Sequence, residues 1–510
     1  MLNPVPPPTD ADLALAAGDW SRAETLYQAH LSSARTIANF AGLTKSRLSQ
    51  NKMAEALETA QAAASALPTS AEAQTLIGDV LFREGQIPAA SLAFSNAISL
   101  DPCSARAQFG IGRIADLLPN HDLAARKLNL AHKLAPHDAE ITTAFLATLP
   151  DSQRVDALRA FLTSQPSLPP VAIKDLNVQL TLLEQKGTCT VTQPFSSASI
   201  ELDPDMFSTK VPRGWGVRVK INNGATALLD LDSSVSGIVL SAKDAENDGV
   251  HALTPTKEPG DTYVGFADRI RIGSLEYDNC PVTVVPASAL ADHNSLVGTD
   301  FFKDHLIHID FVTQTLTLDQ LPRVPGAAPA EPENPPASPA TGWAHVYIVG
   351  NNILLPTLIN NKGPYLFLLD TGVYPSVISP PIARTELAAT EDLTINLIGT
   401  SAAIIKVMAR EGGPSTGHPL VHGPSGELLP ILRPRKNTAY QFAWNKYGDL
   451  SPISFDLSPK SRDTGIEIGG LLGFGVLQNF SIEINYRDSL VRITYDQNRR
   501  YWQKYFREKY

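Results

Sequence analysis

Two copies of one pattern constrain this chain more than any other feature. Ile221-Asn-Asn is followed by Leu229-Asp-Leu-Asp232-Ser-Ser, and Ile359-Asn-Asn is followed by Phe367-Leu-Leu-Asp370-Thr-Gly, so each aspartate lies eleven residues after its isoleucine. Each copy reads as an apolar strand breaking into a turn. Two matching lobes, each presenting one carboxylate, are the simplest arrangement that such a repeat predicts.

The copies agree further downstream. Leu296-Val-Gly298 precedes Ile309-Asp310-Phe311, and Leu471-Leu-Gly473 precedes Ile484-Asn485-Tyr486, with twelve residues from Gly298 to Asp310 and from Gly473 to Asn485. Between the aspartate and the glycine the lengths differ, 66 residues in the first copy and 103 in the second. The frame is kept and the loops between anchors vary. Asp310 and Asn485 are expected to end a strand before a hairpin.

An apolar pair before Asp-Thr/Ser-Gly, followed much later by an apolar pair and glycine, resembles the pepsin and retropepsin class of aspartic peptidases. Gly298-Thr-Asp-Phe-Phe302 with Ile309-Asp310-Phe311 is similar to the bacterial retropepsin-like branch. The resemblance implies an aspartic endopeptidase with Asp232 and Asp370 as the catalytic pair. It implies that Ser233 and Thr371 bond across to the opposite loop, and that Gly372 lets the backbone approach a carboxylate. It also implies that Gly298 and Gly473 pass beneath the opposing aspartate loop. The first copy departs from this pattern, because Ser234 stands where glycine is expected and Asp230 where the second copy has Leu368. A Cβ at Ser234 is expected to push the backbone from Asp232 or strain it. The alternative is therefore a catalytically impaired, peptide-binding pair, or a scaffold in which only the N-terminal repeats matter. A further variant assembles the pair between two chains, Asp370 against Asp370. Gly249 to Tyr263 and Gly412 to Gly426 are candidate flaps, or else plain surface loops.

The chemistry needs two carboxyls because amide hydrolysis needs a base for water and an acid for the leaving nitrogen. Two carboxyl groups about 3 Å apart cannot both ionise, so one proton is shared and each role is filled. No Gly-x-Ser-x-Gly, His-Glu-x-x-His or phosphate-cradling loop competes with this reading.

Residues 10–165 carry a second repeat. Pro68, Pro102 and Pro136 recur every 34 residues, with Gly78 and Gly112, Ala56, Ala90 and Ala124, and Ala63, Ala97 and Ala131 at fixed offsets. That period matches the tetratricopeptide repeat, an α-solenoid of helix pairs. Small residues let paired helices approach, Phe94 and Leu128 fill the seam, and each proline ends a helix. An atypical unit, Ala14 to His30, opens the array and a partial one, Phe145 to Phe161, closes it. Its concave face either binds a protein or peptide partner or packs against the lobes.

The expected organisation is α followed by all-β: the repeat array at 10–165, a connector at 166–190, and a first lobe at 191–322. A Pro/Ala-rich linker at 323–342 and a second lobe at 343–510, ending in a short aromatic and basic helix, complete it. The chain has 510 residues, too many for one core. Its net charge of −10 gives no footprint for nucleic acid, and no apolar run is long enough to span a membrane. The first ten residues carry no secretion signal, so export would require a leader already removed. Neither metal nor cofactor is implied. Cys189 and Cys280 are near or within the first lobe and could pair in an oxidising compartment; they read first as unpaired apolar residues, as does Cys103.

Overall fold

A computed structural model describes residues 7–495 except 119, 165–167, 169, 185–188, 209–210, 254–261, 287–289, 291–293, 322–340, 374, 395–396, 401–403, 408–420, 423–427, 435 and 450–451. The linker, most of the second flap candidate, the middle of the first and the C-terminal aromatic stretch lie outside the described residues. The chain divides into two compact units, residues 1–170 with 465–467, and residues 171–464 with 468–510. The first is helical and the second is rich in sheet. Among the described residues, no helix is long and apolar enough to cross a membrane.

The helical unit runs as hairpins: α1 Asp10–Ala16 and α2 Trp20–Ser33, α3 Ile37–Ser49 and α4 Met53–Ala66, α5 Ala71–Arg83 and α6 Ile87–Leu100, α7 Ala105–Leu117 and α8 His121–Leu134, α9 Ala139–Ala147 and α10 Asp151–Thr163. The 34-residue spacing of α4, α6 and α8 is that of a tetratricopeptide array. Ala56, Ala90, Ala124, Ala63, Ala97 and Ala131 are buried at the crossings. A Cβ on Gly78 would stand 2.6 Å from the Phe94 ring, and one on Gly112 would stand 2.7 Å from Leu128. The glycine is therefore the notch into which the next helix's large side chain fits. The helix starts keep the same period: Thr36, Ser70, Ser104 and Asp138 each cap the helix that follows with a side-chain oxygen.

In the sheet-rich unit the two halves fold alike. Val211–Ile221 pairs with Thr226–Leu231, and Asn352–Ile359 with Lys362–Leu369. The Ile-Asn-Asn turn has one role in both. Asn222 and Asn360 sit at φ +46° and +48°, a left-handed conformation that asparagine tolerates. Each then binds the next strand twice. The Asn222 amide donates to the Arg269 carbonyl at 2.7 Å and its Oδ1 accepts from the Arg269 amide at 3.0 Å. Asn360 makes the same two bonds to Ala439, both at 2.9 Å.

The strand bearing each aspartate then receives a parallel neighbour from its own half. Asp230 and Leu231 pair with Leu296 and Val297, while Phe367 to Leu369 pair with Gly470 to Leu472. An antiparallel strand closes each set, Ile238–Ser241 in the first half and Val377–Ile378 in the second.

Hairpins at the tails join the halves. Ile309 faces Ile482, which occupies the place of Ile307 in the second copy, and Ile307 faces Ile484, in the place of Ile309. Equivalent strands thus pair antiparallel about a local twofold. One hydrophobic core runs through both halves, with Phe311 and Phe474 edge-on at 5.4 Å. Asp310 Oδ1 accepts from the Val312 amide at 2.9 Å and Asn485 Oδ1 from the Asp488 amide at 3.1 Å, so both end their strands in a side-chain-capped turn.

One sequence expectation is corrected. Cys189 and Cys280 are joined in a disulfide, and only Cys103 is a free, exposed thiol. The pairing follows from the strand Thr190–Val191, which adds to Leu275–Val285 in antiparallel register and lays residue 189 beside residue 280. Position along the chain, 91 residues apart, gave no sign of it.

Candidate functional site

Both aspartates leave the end of a strand into a buried turn. The Asp232 amide donates to the Val297 carbonyl at 2.9 Å and the Asp370 amide to the Leu472 carbonyl at 3.1 Å, so the parallel strand fixes each turn's origin. Asp232 is 0% exposed and Asp370 3%.

The residues after them interlock. The Ser233 amide donates to Thr371 Oγ1 at 3.0 Å, and the Thr371 amide donates to Ser233 Oγ at 3.1 Å. Each hydroxyl then donates onward to the strand end of the opposite half, Ser233 to the Leu369 carbonyl at 2.7 Å and Thr371 to the Leu231 carbonyl at 2.8 Å. Four buried bonds therefore hold two loops from one chain in a fixed relation, and an interchain arrangement is not needed to complete either.

Gly372 touches both carboxylates. Its amide donates to Asp370 Oδ1 at 3.0 Å, joined by the Val373 amide at 3.1 Å. A Cβ on Gly372 would overlap the carboxylate of Asp232. Only glycine lets these groups share that space.

Ser234 does not strain its loop. It is absent from the residues with positive φ, and its amide donates to Asp232 Oδ1 at 2.9 Å, as the Gly372 amide does to Asp370. Its hydroxyl adds a second donor to the same oxygen at 2.7 Å. The two carboxylates are thus held differently, Asp232 by an amide and a hydroxyl and Asp370 by two amides. Asp230, buried at the place of Leu368, accepts from Asn294 Nδ2 at 3.0 Å and so has a local partner.

Gly298 and Gly473 are corrected. The resemblance placed each beneath the opposing loop, but each lies against its own. The Gly298 amide donates to the Gly237 carbonyl at 2.6 Å, and its Cβ position is occupied by the Val235 carbonyl. The Gly473 amide donates to Ser376 Oγ at 3.2 Å, and the next residue, Phe474, donates to the Val373 carbonyl at 2.6 Å. The reason is the parallel pairing: the strand before each glycine lies beside the aspartate strand of its own half. The described ends of the first flap candidate include His251–Ala252, paired with Gly265 and Phe266.

Sequence reasoning missed Lys460. It is 7% exposed on the helix Ser458–Thr464, and its charge interacts with Asp370, then Asp232, then Asp463. Burial pushes its ammonium below the usual lysine range, while these carboxylates oppose the shift. Nothing in Ser-Pro-Lys-Ser-Arg-Asp marks its lysine as buried.

No family profile and no curated protein matches the chain. Similar solved structures include MamA, at 19% identity and a TM-score of 0.23, covering 34% of this chain and 99% of that one. Another is TTC0263, a thermophilic TPR protein in Thermus thermophilus, at 21% identity and 0.29, covering 34% and 94%. A tetratricopeptide repeat protein from Parabacteroides merdae is 13% identical with a TM-score of 0.25, covering 34% and 70%. Likeness at this level carries no functional argument, and the tetratricopeptide reading rests on the helix spacing described above.

Proposed function

We propose that the sheet-rich unit is a pepsin and retropepsin type aspartic endopeptidase in which Asp232 and Asp370 share one proton. The ionised member takes a proton from water as its oxygen attacks the peptide carbonyl, and the protonated member supplies the acid. Collapse of the tetrahedral adduct breaks the C–N bond with a proton delivered to nitrogen, leaving an acid and an amine. The observation that carries this reading is Gly372, whose amide holds one carboxylate and whose missing side chain makes room for the other. The test is cleavage of a denatured mixed-protein substrate from acid to neutral pH. Cleavage that is pepstatin-sensitive and lost in Asp370→Asn supports the enzyme, and no cleavage at any pH sinks it.

A second reading, a peptide-binding pair without turnover, is favoured by the Ser234 hydroxyl, which occupies Asp232 Oδ1. In either case the repeat array is the element that recruits a protein or peptide. Its groove of about 730 Å³ is lined by Lys45, Asp79, Arg106 and Glu140, with apolar Ile37 and Leu76 between them. Such alternation suits an extended segment carrying charges of both signs.

A further inference from the structure

A lysine buried without an opposite charge nearby is costly enough that it ordinarily gives up its proton. Lys460 is 7% exposed, and its position is built. Asp456 holds the start of its helix through the Ser458 amide at 2.9 Å and hydroxyl at 2.8 Å. Behind it, the fully buried Ser461 accepts from the Ile468 amide at 2.9 Å. The chain then runs directly into Gly470–Leu472, the strand beside Asp370. The carboxylates that face Lys460 are Asp370 and Asp232 across the site and Asp463 on its own helix.

Two ionised carboxylates and one ammonium carry a net charge of −1, as do two carboxyls sharing a single proton. The ammonium can stand in for that proton. We propose that Lys460 is a built-in counter-ion of the Asp232 and Asp370 pair, holding both carboxylates ionised near neutral pH so that the pair gains its shared proton only on acidification. A pair in that state has a base but no acid, and turnover is confined to acid pH. The consequence for turnover rests on the peptidase reading; the electrostatic linkage does not.

The test is a pH titration of the full chain labelled with 13Cγ-aspartate and followed by NMR. Replacing Lys460 by methionine is expected to raise the pair's apparent titration by at least about one pH unit, the usual effect of losing a close opposite charge, and Lys460→Arg to leave it near the parent's. An unchanged titration in Lys460→Met overturns the proposal. If circular dichroism shows that Lys460→Met does not fold, the 13Cε signal of Lys460 is compared between the parent and Asp370→Asn. Its titration is expected to move down in the variant, and no movement overturns the proposal. Cleavage assayed alongside separates the two ideas: a shifted titration with no cleavage at any pH removes the peptidase and leaves the counter-ion.

Discussion

Ser233 and Thr371 exchange hydrogen bonds across the two halves, each backbone amide donating to the other's hydroxyl, at 3.0 and 3.1 Å. The exchange is buried, so losing either hydroxyl strands donors and acceptors on both loops. Ser233→Ala is expected to cost about 1–3 kcal/mol, the penalty for a buried group left unsatisfied. The double variant with Thr371→Val should cost clearly less than the two singles added, because they belong to one network. Denaturant unfolding of the four proteins measures this, and strict additivity would contradict the interlock.

Gly372 and Ser234 occupy matching positions and should respond in opposite ways. Gly372→Ala forces a methyl into the Asp232 carboxylate, so proteolytic activity should fall at least about a hundredfold, as expected when reacting groups are displaced by about an ångström. Ser234→Gly removes the hydroxyl donor from Asp232 Oδ1 and should raise cleavage while lowering stability by about 1 kcal/mol. Rates and melting temperatures on the same preparations check both. Activity unaffected by Gly372→Ala would place the chemistry elsewhere.

The Cys189 to Cys280 bridge closes a long loop and fastens the strand at 190–191 to the first half. Reduction should destabilise that half by about 2–4 kcal/mol. Thiol titration should find one reactive group in the native chain and three after reduction and denaturation, matching its three cysteines. Three before reduction would refute the bridge. Such bonds persist where the surroundings are oxidising.

Asp248 is pushed up to about 6 by burial and then by the neighbouring charge of Asp244. The folded carboxyl keeps its proton where the unfolded one, near 3.8, has lost it. Its contribution to stability is therefore full below about pH 4 and is lost as pH rises through about 6. Melting temperatures between pH 4 and 7.5 should show a smaller fall in Asp248→Asn than in the parent. Parallel curves would contradict this.

Phe94 fills the notches of both Gly78 and Gly110, so its loss leaves a cavity that the helices cannot close. Phe94→Ala should destabilise the helical unit by about 3–5 kcal/mol. Far-UV circular dichroism on heating would report the loss as an earlier helical transition, and an unchanged transition would show that the seam is not there.

Much of this was local and therefore readable. The 34-residue period placed the helices because glycine, alanine and proline act on their own turn and the one beside it. The Ile-Asn-Asn repeat marked equivalent turns because asparagine accepts a left-handed backbone whatever surrounds it. The two aspartates were visible as strand ends for the same reason. The departure at Ser234 was visible too, but its effect was not: the backbone there needed no positive φ, and the hydroxyl turned back to Asp232.

The sequence by itself determined where strands, helices and turns begin and end, and that the chain carries two copies of one frame, since these follow from interactions between near neighbours. Only the tertiary structure decided that Gly298 and Gly473 lie against their own loops, that Cys189 meets Cys280, and that Lys460 is buried facing two carboxylates. Each of those depends on which distant strand lies alongside. Register and burial are properties of the packed whole, and no stretch of chain carries them alone.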